Sequence, residues 1–330
     1  MNKFEYALPD KLSDVFGYLK HPNASIKAGG IDQLDLMKEG IATPARLVNI
    51  RNLKELHFIK SDSKRGLIIG PNVTLGELAE DNNLKGAYRA LAQAAHGTAT
   101  PQIRNSATLG GNICQRPRCW YFRSSDFNCS RKGGETCFAI EGENQYHAIF
   151  GNQDGCVIVH PSATAVALMA LDAKLKIVSE KSEHEIAIDK FFVAPAEDIT
   201  RENVLKAGEM ISEIVLPPAP EGFISFYFKQ KEKQAFDWPL AEVAVALTMK
   251  DGKCRNARIV LGAAAPIPWR VPAAEKLLVG QAISVELARK AGNEAVKTAN
   301  PLSLNTYKIA VFKAVVYRAI CWATGIDPFA

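Results

Sequence analysis

The sequence predicts a mixed α and β protein of more than one domain, with an α/β lobe in its first half. Three observations carry that expectation. The 330 residues exceed what one compact core ordinarily supports. Short β-like runs alternate with amphipathic helical runs in the first half, the pattern of a layered α/β lobe. Pro217-Pro218-Ala219-Pro220-Glu221-Gly222 is the clearest linker in the chain, and strand-like runs and a long closing helix follow it.

Taken in order, Asp10 is placed to cap a helix whose Leu12, Val15, Phe16 and Leu19 form an i, i+3, i+4, i+7 stripe. Ser25-Ile26-Lys27 reads as a short strand, Ala28-Gly29-Gly30 as a turn, and Leu34, Leu36 and Met37 as the apolar side of a second helix. Residues 46–50, 56–60 and 66–69 read as strands. Residues 87–95 read as an alanine-rich helix stopped by Gly97 and Pro101. Strands are expected at 173–178 and 184–188, and, after the linker, at 223–229, 243–249 and 257–263. A helix from about Ser303 to Trp322 closes the chain, with Ile309, Phe312, Val316 and Ile320 on one side.

Composition excludes several function classes. A net charge of +5 with no long basic stripe argues against nucleic-acid binding as the main role. The longest apolar runs, such as 165–171, are too short to span a bilayer. The first residues show no signal core and no twin arginine. Synthesis and assembly in the cytoplasm are expected, with export beside a signal-bearing partner as the route to a periplasmic location. Reduced thiols in that compartment favour metal over disulfide.

Five of the seven cysteines fall between Cys114 and Cys156, separated by four, nine, seven and eighteen residues. The spacing contains no Cys-x-x-Cys pair and none of the common ferredoxin intervals. Long intervals still suit a cluster held by an irregular insertion. Arg116, Arg118, Arg123, Arg131 and Lys132 stand against one acid, Asp126, and such neighbours lower thiol pKa and offset an anionic cluster. The plain alternative is buried structural thiols beside a solvated basic loop.

Two glycine pairs offer close backbone approach. Ala28-Gly29-Gly30-Ile31-Asp32 lies between strand and helix, where N–H groups can meet a pyrophosphate. It is neither the dinucleotide fingerprint nor a Walker loop, and most such turns bind nothing. The second pair lies in Gln102-Ile103-Arg104-Asn105-Ser106-Ala107-Thr108-Leu109-Gly110-Gly111-Asn112-Ile113, with Thr108 and Asn112 as hydrogen-bonding groups. Read alone, that segment is a turn with local Thr and Asn bonds. His21, His57 and His184 read as surface residues and His160 as a structural one. No hydrolytic constellation is present, and no catalytic residue is assigned.

Together, Lys27-Ala28-Gly29-Gly30-Ile31-Asp32-Gln33-Leu34, the segment 102–113 and the C-terminal lobe resemble the FAD-binding subunit of the xanthine dehydrogenase (molybdenum hydroxylase) family, over nearly the whole chain. The cysteine insertion is similar to the subset with an extra [4Fe-4S] cluster, which includes 4-hydroxybenzoyl-CoA reductase and periplasmic aldehyde oxidoreductase. Arg116-x-Arg118-Cys119-x-Tyr121-Phe122 is nearer the latter. The resemblance implies an α+β chain. Residues 1–216 would form a two-lobed FAD-binding domain of the vanillyl-alcohol-oxidase type with the insertion at about 114–156, and 223–330 a smaller α+β domain.

The resemblance further implies that Ile26, Lys27, Ala28, Gly29, Gly30, Ile31, Asp32, Gln33 and Leu34, with Thr108, Gly111 and Asn112, wrap FAD, and that Lys229 lies near the flavin. It implies Cys119, Cys129, Cys137 and Cys156 as cluster ligands, leaving Cys114 a spare buried thiol. Relatives often carry Ser-Asp after the fourth cysteine, where this chain has Pro161-Ser162-Ala163-Thr164, so Ser162 or a water would replace one FAD contact. The implied role is electron transfer beside a molybdopterin-binding large subunit and a [2Fe-2S] small subunit, from an aldehyde or N-heterocycle to an external acceptor. A reductase with reversed electron flow, or a non-redox module with structural zinc, are the competing readings.

Overall fold

Short apolar runs become three separate sheets in the computed structural model, which describes residues 1–234 and 236–329. The strands are β1 (Glu5–Ala7), β2 (Ala24–Lys27), β3 (Arg46–Asn49), β4 (Ile59–Asp62), β5 (Gly66–Ile69), β6 (Lys174–Val178), β7 (Glu183–Ala187), β8 (Met210–Leu216), β9 (Phe223–Gln230), β10 (Ala241–Lys250), β11 (Lys253–Gly262) and β12 (Trp269–Arg270). β1, β3 and β2 form a small parallel sheet in that order. β4, β5, β8, β6 and β7 form an antiparallel sheet of five. β12, β11, β10 and β9 form the antiparallel sheet of the C-terminal part. The mixture of α and β elements is the expected class.

The helix Leu12–Leu19 forms where its stripe demands, but Lys11 is its N-cap and Asp10 makes no capping bond. The run 56–60 is displaced. Lys54–Leu56 is a short 3-10 turn that buries Leu56, and pairing with β5 begins only at Ile59. The apolar stretch 165–171 belongs to the helix Ala163–Ala170, whose residues are all buried. A helix hydrophobic all round must lie inside, and this one packs on the C-terminal sheet and on the helix Arg89–His96, within the core that the five-stranded sheet also lines. The segment Thr108–Asn112 is not a loop. Thr108 caps a single helical turn, Leu109–Ile113, by accepting from the Gly111 N–H.

β10 explains how the two parts join. Val243, Val245 and Leu247 face the helices Pro272–Leu278, Val285–Ala295 and Tyr307–Ala323. Ala244 and Ala246, on the other side, pack into the core of the first part. Strands alternate faces, so small residues on one side allow close approach while branched ones fill the other. Glu242 lies on the alanine side of this strand, which directs it toward the first part. The linker at 217–222 therefore joins units that share buried surface.

Candidate functional site

The first glycine pair opens a helix, Ile31–Lys38, whose N-cap is Gly30 at φ 78° with no side-chain cap. Its first-turn N–H groups are left for another acceptor, the usual situation of an anion-binding helix end. Gly30 needs its left-handed backbone. Gly29 is there for a different reason: a methyl group would overlap the Ser106 carbonyl. The two glycine motifs thus pack against one another, and Arg51 fastens the junction by donating to the Ser106 and Asn105 carbonyls at 2.5 and 3.1 Å. Gly110 packs on Pro71, whereas Gly111 meets only the Thr108 hydroxyl.

Between the motifs lies a cleft of about 1060 Å³. Ile26, Lys27, Ala28, Gly29, Gly30, Ile31, Asp32, Gln33, Thr108, Gly111, Asn112 and Lys229 all line it. Leu34 does not; its side chain lies beside Gly30. Asn112 is buried, and its Oδ1 accepts from the Ser162 and Thr164 hydroxyls, each at 2.6 Å. Ser162 therefore braces Asn112 and caps the helix Ala163–Ala170 rather than facing the cleft, which Pro161 and Ala163 line instead. Cys114 also lines the cleft, and burial pushes its thiol up to about 12. It is not a fifth member of the sulfur group.

Sequence reading missed the far wall. Phe236 and Trp238, on the connection from β9 to β10, line the cleft with large exposed rings, and the Arg118 guanidinium stands 5.4 Å from the Trp238 ring centre. Glu242, buried on β10, lines it too. Only strand register brings these residues to the glycine motifs; the one available signal was a Phe-Asp-Trp-Pro turn at 236–239. The cleft suits an elongated, phosphate-bearing ligand. It has an uncapped helix start, one open glycine face and a volume at the upper end of the ~300–1,000 Å³ usual for small-molecule sites.

Cys119, Cys129, Cys137 and Cys156 meet around a second, closed cavity of about 10 Å³. Cys119 precedes the turn Trp120–Arg123 and Cys129 the turn Ser130–Lys132, so each starts a short helical piece. All four are free thiols. Backbone N–H groups point at the sulfurs: those of Phe122 and Tyr121 at Cys119, Val157 and Ala139 at Cys137, and Ile158 at Cys156. A hydrogen bond from Cys137, with Arg131 beside it, brings Cys156 down to about 6 against the cost of burial. Burial raises Cys119 to about 11. Phe122, Phe138 and Tyr121 close the walls, and His147 Nε2 lies 3.3 Å from Cys119 Sγ. Burial lowers His147 to about 4, leaving it neutral. Among the described residues, no three His, Cys, Asp or Glu side chains close on a point as ligands of a single metal ion.

His160 is fully enclosed against Phe192, and burial takes it down to about 3. It lines neither cavity, in keeping with a structural role.

The basic residues of the insertion link the two sites. Arg131 Nε donates to Cys156 Sγ at 3.4 Å, and its guanidinium pairs with Glu202 at 2.8 Å. Glu202 also binds Arg116 at 2.9 Å. The Arg116 backbone N–H donates to Asp32 at 2.8 Å, and the Arg118 and Arg123 side chains pair with the same carboxylate. Burial works to raise the Asp32 carboxyl, but the two guanidinium groups hold it below its ordinary value. This Cys156–Arg131–Glu202–Arg116–Asp32 series crosses from the sulfur pocket to the first turn of the cleft helix.

Comparison with known proteins gives the family of the chain. Residues 2–219 match the family described as FAD binding domain in molybdopterin dehydrogenase, and residues 226–323 match the CO dehydrogenase flavoprotein C-terminal domain. The aldehyde oxidoreductase FAD-binding subunit PaoB of Escherichia coli is 34% identical over 304 residues, 92% of each chain. The carbon monoxide dehydrogenase medium chain of Hydrogenophaga pseudoflava is 25% identical over 97% of this chain and 98% of that one. A solved structure of carbon monoxide dehydrogenase from the same organism superposes with a TM-score of 0.76, at 25% identity, covering 98% of both chains. An uncapped helix start in a glycine-walled cleft, and matches spanning both domains, place this chain in the family of FAD-binding subunits of the molybdopterin dehydrogenases, which are oxidoreductases.

Proposed function

We propose that this chain carries FAD and a [4Fe-4S] cluster and conducts electrons within a molybdenum hydroxylase that oxidises aldehydes or N-heterocycles. The observation that carries the reading is four free thiols around one closed cavity, joined by ion pairs to the cleft of an FAD-binding family member. A [4Fe-4S] cluster gives each cysteine its own iron, so its ligands need not converge as they would on a single zinc ion. The N–H groups aimed at the sulfurs and the buried Arg131 are features that stabilise cluster ligands and tune them.

Bound in the cleft, FAD would supply the exchange between one-electron and two-electron chemistry. The chain's own residues hold and shield it. The first turn of Ile31–Lys38 and the Gly111 face offer backbone to the phosphates, and Asn112 is fixed by Ser162 and Thr164. Lys229 and Glu242 form the wall on the C-terminal sheet. A molybdopterin-binding large subunit and a [2Fe-2S] small subunit would deliver the electrons, and an external acceptor would receive them. Among the described residues, no helix is long and apolar enough to cross a membrane. Assembly in the cytoplasm, with co-export beside a signal-bearing partner, remains part of the proposal.

The test is anaerobic purification with and without the neighbouring molybdopterin subunit. Equimolar flavin, four irons and four acid-labile sulfides per chain, with flavin bleaching by an aldehyde only in the assembled complex, is the expected result. A flavin-loaded protein with zinc or no metal at the four cysteines would overturn the cluster assignment. Reoxidation of the reduced flavin by a CoA thioester, with no bleaching by an aldehyde, would overturn the direction of electron flow.

A further inference from the structure

Glu242 is a buried acid with nothing structural to do. It is 2% exposed and lines the cleft, and its Oε2 has no hydrogen-bond partner among the described residues. The strand register explains its position. Glu242 on β10 lies opposite Lys229 on β9 and opposite Gly262 on β11, and Tyr227 is the diagonal neighbour on the same face. Gly262 leaves the room: a methyl group there would stand 2.8 Å from Glu242 Oε2. Tyr227, 5% exposed, places its hydroxyl beside the carboxyl, yet that Oη also makes no well-formed hydrogen bond among the described residues. Two adjacent buried polar groups thus have only a poorly formed contact with one another, an arrangement that costs free energy and calls for a role.

A second groove, of about 330 Å³, opens to the surface on the other side of Lys229. Tyr227 and Lys229 line it, with Gln93 and His96. Lys229 borders both cavities and donates to the Gly97 carbonyl at 3.2 Å. Tyr227, which lines the open groove and buries its hydroxyl beside Glu242, therefore stands between that groove and the cleft that Glu242 lines.

We propose that Glu242 gives a proton to the flavin bound in the cleft and that Tyr227 restores it from water in the second groove. This rests on the reading of the cleft as the FAD site. The chemistry requires such a path, because an iron–sulfur donor delivers electrons one at a time and brings no protons, whereas full reduction of a flavin takes two electrons and up to two protons. In the step, the Glu242 O–H bond breaks and an N–H bond forms on the isoalloxazine, with the electrons supplied by the iron–sulfur donor. The carboxylate then takes the Tyr227 hydroxyl proton, and Tyr227 takes one from water. Reoxidation by the acceptor reverses the sequence. The charged and titratable groups facing Glu242 are Lys229 and Tyr227 from β9 and Lys308 from the helix Tyr307–Ala323. Burial outweighs all three and raises the carboxyl above its ordinary value, in keeping with an acid that keeps its proton.

The experiment uses the FAD-loaded full chain, with flavin content measured first. Oxidised-minus-reduced infrared difference spectra should show a protonated-carboxyl band that shifts in heavy water and is absent in Glu242→Gln. Stopped-flow reduction by a one-electron viologen donor should slow at least ~100-fold in Glu242→Gln. It should recover in Glu242→Asp, and slow in Tyr227→Phe only after the first turnover. Should Glu242→Gln fail to fold, Tyr227→Phe and Glu242→Asp carry the test. Wild-type rates and an unchanged difference spectrum in a variant that holds its full flavin would overturn the proton path. Absence of flavin from the wild-type chain would instead overturn the cleft assignment on which it rests.

Discussion

The cleft and the sulfur pocket are made in opposite ways. The cleft, about 1060 Å³, is walled largely by backbone: a glycine-started helix, a capped single turn and a sheet edge. The pocket, about 10 Å³, is walled by side chains on a segment with only short helical pieces. One site is large because regular elements stand apart, the other small because an irregular segment collapses onto its own thiols and rings. The comparison teaches that a backbone-built site depends on how elements pack, and a thiol-built one on which donors are present. The arginine–carboxylate series connects the two, which glycine loops considered alone would not suggest.

The largest expected break comes from Cys129→Ser. It should abolish iron and sulfide binding, measured by metal analysis. Because the insertion holds Asp32 through Arg116, Arg118 and Arg123, FAD should also bind about tenfold more weakly, a difference of ~1.4 kcal/mol. Undiminished flavin affinity in a folded, iron-free variant would show that the two sites are independent.

Gly29→Val comes next. The side chain would strike the Ser106 carbonyl, so the damage should reach the fold as well as the flavin. A stability loss of ~1–3 kcal/mol in urea unfolding, together with reduced FAD occupancy, is expected. Loss of flavin with unchanged stability would mean that the glycine serves the ligand and not the packing.

A smaller change, Asp32→Asn, should weaken FAD a few-fold while leaving iron content intact, measured by flavin fluorescence titration. Its pH behaviour follows from the depressed carboxyl. The ion pairs contribute fully above the ordinary Asp value of 3.8 and are lost as the pH falls through the lower folded value. Wild-type protein should therefore release flavin more steeply than Asp32→Asn only below that pH.

The smallest effect concerns Lys308, which stands between the two regions. Its amine donates to the Tyr146, His147 and Ala263 carbonyls and faces Glu242. Burial lowers it from 10.5 to about 7. Between those values the unfolded chain carries a proton that the folded chain lacks, so this residue's contribution to stability rises with pH across that window. Lys308→Met should flatten the rise in urea midpoint that the wild-type chain shows there.

Much of this was legible in advance, for identifiable reasons. The strand at 66–69 is a short apolar run between Gly66 and Gly70, the closing helix carries an apolar stripe, and the cysteine density was visible without any structure. β8 was overlooked because Met210–Leu216 is buried on both faces but for Glu213, so it lacks alternation and runs straight into the prolines. The helix Leu75–Glu80 was announced by Thr74 and Glu77, a capping box that passed unread. Leu34 looked like a cleft residue because it ends the glycine motif, but one turn into a helix the side chain swings back over Gly30. Glu242, Tyr227 and the second groove could not be read from residue order at all. They exist as a group only through the pairing of β9 with β10, a fact of register.

The ion-pair series from Cys156 to Asp32 has a consequence in time. A newly made chain would not grip its yellow coenzyme firmly until the four-cysteine segment had settled, so maturation would run from that segment to the flavin. With the proposed cluster at those cysteines, iron-starved cells would accumulate pale, coenzyme-poor protein, and the order of loading would itself act as a checkpoint.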